Sequence, residues 1–93
     1  MDFRFNEEKN QLLKATRNVS FEEVLVCIKS NDLLANIAHP NASRTNQRLF
    51  VVKINNYAYS IPYVINLEKK EIFLKTIYPS RTFTKIYLRR SRT

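Results

Sequence analysis

The sequence predicts a single α+β domain in which two N-terminal helices pack on one face of an antiparallel sheet of about four strands, followed by a short C-terminal helix. Three observations lead to this fold class. Two segments with helical apolar spacing come first, strand-like segments rich in β-branched and aromatic residues follow, and an amphipathic segment ends the chain. Strands joined by tight turns after a pair of helices are typical of α+β domains. A chain of 93 residues is long enough for one core.

The first elements are a short strand and a helix. Residues 2–5 alternate between polar and apolar, as a strand does. Asn6 is suited to cap a helix, and the acidic residues that follow it favour a helix N-terminus. We expect this helix to end near Arg17 and to bury Leu12 and Leu13.

A second helix is predicted by a capping box, in which Ser20 caps the first turn and Glu23 reaches back to the cap. Apolar residues then recur at the i, i+3, i+4 and i+7 positions of one helix face: Phe21, Val24, Leu25 and Ile28. We interpret this stripe as core rather than as a docking surface. The helix is expected to close at residues 31–32.

Three strands are predicted in the centre of the chain, at residues 33–38, 48–54 and 57–65, with a polar loop at residues 39–47. Two asparagines separate the second and third strands, and asparagine tolerates the left-handed backbone of a two-residue hairpin turn. That turn predicts four facing pairs on the core side of the sheet: Ile54 with Tyr57, Val52 with Tyr59, Phe50 with Ile61, and Arg48 with Tyr63 at the rim.

The register of the next strand stays open. A two-residue turn at residues 68–69 places Lys75 beside Pro62, whereas a three-residue turn at residues 68–70 places Lys75 beside Tyr63. A slip of one residue moves every side chain of a strand to the other face. Because Pro62 has no N–H, we expect it at a position where the sheet needs no donor.

The charge of the chain points to a polyanionic partner. Sixteen basic and eight acidic residues leave a net charge of +8, and the sequence pI is about 9.9. Residues 1–32 carry six acids and five bases (−1), residues 33–70 one acid and five bases (+4), and residues 71–93 one acid and six bases (+5). Such an imbalance most often indicates nucleic acid. An anionic membrane is less suited, because the strand-rich centre offers no long basic amphipathic helix.

Other features exclude several classes of site. Without glycine there is no Gly-rich phosphate loop, dinucleotide fingerprint or glycine nucleophile elbow. One histidine, one cysteine and scattered carboxylates do not suggest a metal site, so we expect neither metal nor cofactor. The single Cys27 cannot form an internal disulfide, and no apolar run has the length of a membrane span or a secretory signal. These features favour a cytoplasmic protein.

The last third of the chain combines an apolar strand, a turn containing Pro79 and a short amphipathic helix with a basic end. Phe83, Ile86 and Tyr87 have the spacing of that helix's buried stripe. No acid follows Glu71, and six cations lie among hydroxyl-bearing side chains: Lys75, Arg81, Lys85, Arg89, Arg90 and Arg92. Cations mixed with aromatic rings and hydroxyls suit a surface that binds phosphates and stacks on bases. A solvated, charged tail is the alternative interpretation.

Two phrases near the N-terminus resemble a known family. Phe5-Asn6-Glu7-Glu8-Lys9-Asn10, followed by Val19-Ser20-Phe21-Glu22-Glu23, is similar to the opening of BrnT-type toxins, which belong to the RelE/ParE superfamily of toxin–antitoxin systems. Residues 79–85 resemble the basic, threonine-containing end of the same family. The order and length of the predicted elements are similar over nearly the whole chain.

The resemblance implies a RelE-like fold and a microbial toxin that cleaves RNA and blocks translation. It also implies a cognate antitoxin encoded alongside, often a ribbon-helix-helix DNA-binding protein, and it makes the ribosome a further candidate partner. Because the superfamily also contains gyrase inhibitors, the fold alone does not fix the activity.

RNA can be cut without a metal when its 2′-hydroxyl attacks the adjacent phosphate, provided that the protein moves two protons and neutralises charge on the phosphorane. We assign charge neutralisation to Lys75, Arg81 and Lys85. His39, the one histidine of the sequence, and Tyr78 are candidates for proton transfer. For the cations the alternative is an ordinary solvent-facing side chain, and for His39 it is a loop histidine that hydrogen-bonds to its own backbone.

A second set of residues is predicted to hold the RNA. It comprises Arg44 and Arg48 in and beside the polar loop, the hydroxyls of Ser80 and Tyr87, and Arg89 in the basic end of the chain. Packing in the core of the terminal helix is the competing interpretation for Tyr87.

The leading hypothesis is therefore a metal-independent endoribonuclease toxin. A second hypothesis is a non-catalytic inhibitor of a protein such as gyrase, which would need an exposed apolar helix more than a cationic groove. A third is an RNA-binding module without cleavage, whose RNA affinity would be salt-sensitive and would yield no products.

Overall fold

The computed structural model describes residues 1–39 and 47–88. The elements in chain order are β1 (Asp2–Arg4), α1 (Glu7–Arg17), α2 (Phe21–Ile28), β2 (Leu33–Ala38), β3 (Gln47–Ile54), β4 (Tyr57–Asn66), β5 (Glu71–Leu74), β6 (Tyr78–Pro79) and α3 (Arg81–Leu88). The sheet has the order β1-β5-β4-β3-β2, and β6 also pairs with β4. None of the helices in the described residues is long and apolar enough to cross a membrane.

The α+β class is confirmed, but the sheet differs from the prediction. Within the described residues it has six strands rather than about four, and β1 runs parallel to β5, with Phe3 beside Ile72, so the sheet is not wholly antiparallel. Phe3 and Ile72 both pack against the main core. The first strand of the chain therefore closes the edge of the last hairpin.

α1 begins at a capped N-terminus and buries one polar residue. The Asn6 side chain accepts the Lys9 N–H at 2.8 Å. Leu13 is buried as predicted, but Leu12 is 55% exposed, so its predicted burial is wrong. The inward position one turn before Leu13 is taken by Asn10, which is fully buried because its side chain serves the backbone of the next helix.

α2 has the predicted capping box. The Glu23 N–H donates to the Ser20 hydroxyl at 3.1 Å, and the Glu23 carboxylate accepts the Ser20 N–H at 3.0 Å. The predicted apolar stripe is confirmed as core: Phe21 and Val24 are buried, and Leu25 and Ile28 pack against the same cluster. The helix ends at Ile28, three residues before the predicted closure.

The β3–β4 hairpin has the predicted register. All four expected pairs are present: Ile54–Tyr57, Val52–Tyr59, Phe50–Ile61 and Arg48–Tyr63. Asn55 and Asn56 take φ values of 53° and 62°, the left-handed backbone that this turn requires. The side chains of these pairs lie on the sheet face that packs against α1 and α2.

The β4–β5 hairpin settles the open register. Tyr63 faces Leu74, and the Lys75 N–H donates to the Pro62 carbonyl at 2.8 Å, which is the register that the two-residue turn predicts, although the turn itself spans residues 67–70. Pro62 has no N–H to donate in return, so the ladder stops there and β5 ends at Leu74. Lys75 is therefore the first residue to leave the sheet.

The expected turn around Pro79 is instead the short strand β6. Tyr78 faces Ser60 and Pro79 faces Tyr59, which extends the edge of β4 that β5 has left. Proline is tolerated there because an edge strand has one side without ladder bonds.

The second face of the sheet is also buried, where α3 lies against β4. Four residues that alternate with the core-facing ones are at most 2% exposed: Leu49, Val51, Ala58 and Ser60. Phe83 and Tyr87 of α3 are half-buried, and Thr84 is 2% exposed. Ile86 is 45% exposed, so its predicted burial is wrong. It lies two positions after Thr84 and therefore on the other side of the helix.

Candidate nucleic-acid interface

The position of α3 is fixed by hydrogen bonds to the edge of β4. The Ser80 N–H donates to the Ala58 carbonyl at 2.9 Å. The Thr84 hydroxyl donates to the Ser80 carbonyl at 2.7 Å and accepts the Ala58 N–H at 2.9 Å. Since Thr84 and Ala58 are both buried, this small network ties the first turn of the helix to the sheet without exposure to water.

The predicted pair of cations on α3 lies on its exposed side. Arg81 and Lys85 are four residues apart, so their side chains neighbour one another on the helix surface. Both are exposed, and neither forms an ion pair within residues 1–39 and 47–88. The helix therefore presents two unneutralised cations to solvent from a fixed base.

Two hydroxyl-bearing residues precede these cations. Tyr78 on β6 is 36% exposed. The Ser80 hydroxyl accepts the Phe83 N–H at 3.1 Å, so it caps α3, and its own proton is left for another partner. Tyr87, near the other end of the helix, packs against Phe83 with ring centroids 5.9 Å apart and is half-buried.

Lys75 lines a groove with α1 rather than with α3. This groove has a volume of about 460 Å³ and is lined by Asn6, Glu8, Lys9, Leu12, Phe73 and Lys75. Lys75 is attached to β4 at Pro62, and α3 is attached at Ala58, four residues along the same strand. That separation is about 13 Å at the rise of a β-strand. Lys75 and the Arg81–Lys85 pair thus occupy neighbouring positions along one edge of β4.

Arg48 is held at the rim of the core face, where it was predicted. Its Nε donates to the Tyr63 hydroxyl at 3.2 Å and to the Asn36 side-chain oxygen at 3.3 Å, and its Nη2 donates to the Asn36 carbonyl at 3.1 Å. Tyr63 in turn donates to the Asn36 side chain at 2.5 Å and stacks on Phe50, with ring centroids 4.1 Å apart. Three strands thus fix one guanidinium.

The rim arginine and the groove lysine lie on opposite faces of the sheet. Arg48 faces Tyr63 on the core side, whereas Lys75 is level with Pro62 on the other side. His39 follows β2 directly, and its N–H donates to the Gln47 carbonyl at 3.2 Å, so it lies at the same end of the sheet as Arg48. Arg44 and Arg89 lie outside the described residues.

Sequence reasoning missed part of the groove around Lys75. Lys9 and Leu12 on α1 lie more than 60 residues before Phe73 on β5, and the parallel β1–β5 pairing and the start of α1 bring them together. Phe73 and Leu12 are apolar residues that the structure leaves 39% and 55% exposed. Their exposure, however, depends on the tertiary fold and has no signature in the local pattern.

Cys27 is a buried free cysteine outside this surface. Burial raises the pKa of the Cys27 thiol, and Asp32 and Glu23 add to that shift, so the thiol stays protonated and unreactive near neutral pH.

Comparisons with protein-family models, with curated proteins and with solved structures found no match in any of the three.

Proposed function

We propose that this chain is a metal-independent endoribonuclease of the toxin type, which cleaves messenger RNA and so inhibits translation. The observation that carries the proposal is the pair Arg81 and Lys85. These cations are exposed and without ion pairs in the described residues, and they stand on a helix that Thr84 anchors to the sheet. They lie in a segment that has no acidic residue after Glu71.

The same proposal includes the finer assignments. The fold is RelE-like, a view that two N-terminal helices on one sheet face and a C-terminal helix support. The similarity of the N-terminal phrases to BrnT-type toxins supports a cytoplasmic toxin with an antitoxin partner of the ribbon-helix-helix type. The ribosome is the place where such a nuclease would meet its messenger RNA.

In the reaction, a 2′-oxygen forms a bond to the adjacent phosphorus, and the bond from phosphorus to the 5′-oxygen breaks. The products are a 2′,3′-cyclic phosphate and a 5′-hydroxyl, with one proton removed from the 2′-hydroxyl and one delivered to the leaving oxygen. Arg81 can hold two phosphoryl oxygens with its planar fork, and Lys85 adds a second charge one turn away. The stabilisation that these two cations provide increases as negative charge builds on the phosphorane.

His39 and Tyr78 are the candidate residues for the two proton transfers. Tyr78 lies three residues before Arg81 on the edge of β4 and presents its ring to solvent, which favours it as the donor to the leaving oxygen. His39 lies at the end of β2, on the far side of β3 from β4. A role for His39 therefore requires RNA that crosses the end of the sheet.

The test is incubation of the purified protein with end-labelled RNA in EDTA, both free and on ribosomes. We expect cleavage that ends in 2′,3′-cyclic phosphate. Arg81→Ala should lower the rate about 100-fold, as loss of one charge-stabilising donor does, and it should relieve growth arrest without unfolding the domain. Lys69→Ala, which removes an exposed cation from the β4–β5 turn, is the matched control and should cleave normally.

Three outcomes would count against the proposal. Intact RNA in both preparations would exclude the nuclease. Tight, salt-sensitive binding with no products would instead indicate an RNA-binding module. Inhibition of gyrase in a supercoiling assay, with no effect on RNA, would indicate the protein-inhibitor class.

A further inference from the structure

We propose that the α1–β5 groove, defined above by Asn6, Glu8, Lys9, Leu12, Phe73 and Lys75, binds one unpaired nucleotide of the RNA. Its base lies against Phe73, and the phosphates on either side contact Lys9 and Lys75. The inference rests on the proposed function in that it takes RNA as the ligand, but it concerns binding and needs no cleavage.

The groove offers a surface of the right kind for a base. Phe73 is 39% exposed and Leu12 is 55% exposed, so two large apolar side chains face solvent at one place. Stacking of a base on an aromatic ring is a major source of affinity for single-stranded nucleic acids, and it tolerates every base. Phe73 is held in a strand paired on both sides, with Val64 on β4 and Arg4 on β1. The ring therefore belongs to a rigid platform.

The charges around the groove distinguish free cations from neutralised ones. Arg4, next to Phe73 on the same face, forms ion pairs with Glu71 at 3.3 Å and Asp2 at 3.7 Å. Lys9 and Lys75 form none with the described residues. With Glu8 as the single acid, the lining keeps a net charge of +1. A phosphate chain would be attracted to these two lysines and not to Arg4.

Both lysines extend from fixed backbone. The Lys9 N–H is held by the Asn6 cap at 2.8 Å, and the Lys75 N–H is held by Pro62 at 2.8 Å. Preorganisation of this kind lowers the entropic cost of binding. From Lys75 the same strand edge leads to Tyr78 and Arg81, so an RNA strand seated in the groove would continue toward the proposed catalytic surface.

An apolar protein segment is the competing occupant, since it could also cover Phe73 and Leu12. The lysines on the lining and the net charge of +8 favour a polyanion instead. A volume of about 460 Å³ also lies in the range of pockets that hold one small ligand.

The test measures binding by fluorescence anisotropy, in EDTA, with two probes: a labelled single-stranded oligonucleotide whose 2′-hydroxyls are methylated to prevent cleavage, and the same chain without bases. Phe73→Ala should weaken binding of the first probe about 10-fold, within the range measured for single stacking contacts, and leave the abasic probe unaffected. Phe73→Tyr should restore the affinity. Lys9→Gln and Lys75→Gln should weaken both probes and each lower the salt slope by about 1.

Val26→Ala is the matched control, because it removes an exposed apolar side chain on α2, outside this groove. A circular dichroism spectrum of each variant checks that it folds. Phe73→Ala with unchanged affinity for the base-containing probe would overturn the proposal and leave the groove to a protein segment. RNA bound through Phe73 without cleavage of an unmethylated strand would sustain the groove and refute the nuclease. Cleavage of RNA together with unchanged binding by Phe73→Ala would support the nuclease and refute the groove.

Discussion

Replacement of Thr84 by valine tests whether α3 is held to the sheet as described. Valine has nearly the same shape but no hydroxyl, so the variant loses the 2.9 Å bond from the Ala58 N–H and the 2.7 Å bond to the Ser80 carbonyl. Ala58 is fully buried, and its N–H would be left without a partner. Two such bonds, one of them leaving a buried orphan, correspond to about 2 kcal/mol of unfolding free energy. At about 4–8 °C per kcal/mol for a domain of this size, Tm should fall by about 8–16 °C.

The measurement is urea unfolding of the Thr84→Val variant, followed by circular dichroism and compared with two other variants. Thr82→Val makes the same change at an exposed position of the same helix and should stay within about 0.5 kcal/mol of the natural chain. Thr84→Ser keeps the hydroxyl and should lose only about 1 kcal/mol for the missing methyl. If Thr84→Val proves as stable as Thr82→Val, the buried network does not hold α3.

Further predictions concern Glu22, the hairpin turn and the rim network. The Asn10 amide donates to the Glu22 carboxylate and lowers the Glu22 pKa below its ordinary value of 4.5. The stabilisation that the ionised Glu22 carboxylate gives the fold is present above pH 4.5 and is lost as pH falls through the lowered pKa. In urea titrations on the acid side of about pH 5, Glu22→Gln should therefore lose less unfolding free energy with falling pH than the natural chain does. An equal loss of unfolding free energy in Glu22→Gln and in the natural chain would refute this role of the carboxylate. Asn56→Gly should raise unfolding free energy by about 0.5 kcal/mol because φ is 62° there, and a decrease would show that the turn differs. Tyr63→Phe, which removes the hydroxyl that bonds Arg48 and Asn36 but leaves the Arg48–Asn36 bonds in place, should cost about 1 kcal/mol; unchanged stability would show that the Tyr63 hydroxyl contributes nothing.

Features encoded within a few residues could be predicted from the sequence. The capping box at Ser20, the apolar stripe of α2 and the register set by the Asn55-Asn56 turn all depend on neighbours along the chain, and each was found. The open register of the second hairpin had a physical cause. Its turn places Lys70 at a φ of 54°, and a lysine in the sequence does not indicate a left-handed backbone as asparagine or glycine does.

Features that depend on distant partners could not be predicted. Nothing local to β1 shows that it pairs with β5, nearly 70 residues later. The burial of Asn10 follows from the orphan N–H of Phe21, a helix away, and not from any apolar pattern. The sequence predicted Lys75 as a functional cation, but the α1 residues that share its groove were missed because they lie in a distant part of the chain.

Single-turnover kinetics tests whether the cations of α3 stabilise the charge that develops on a phosphorane, as proposed above. Cleavage rate at saturating enzyme and RNA affinity are measured in EDTA for the natural chain and for Arg81→Ala. We expect a rate about 100-fold lower for Arg81→Ala, with a much smaller loss of affinity, because the interaction strengthens in the transition state. A rate equal to that of the natural chain would contradict it.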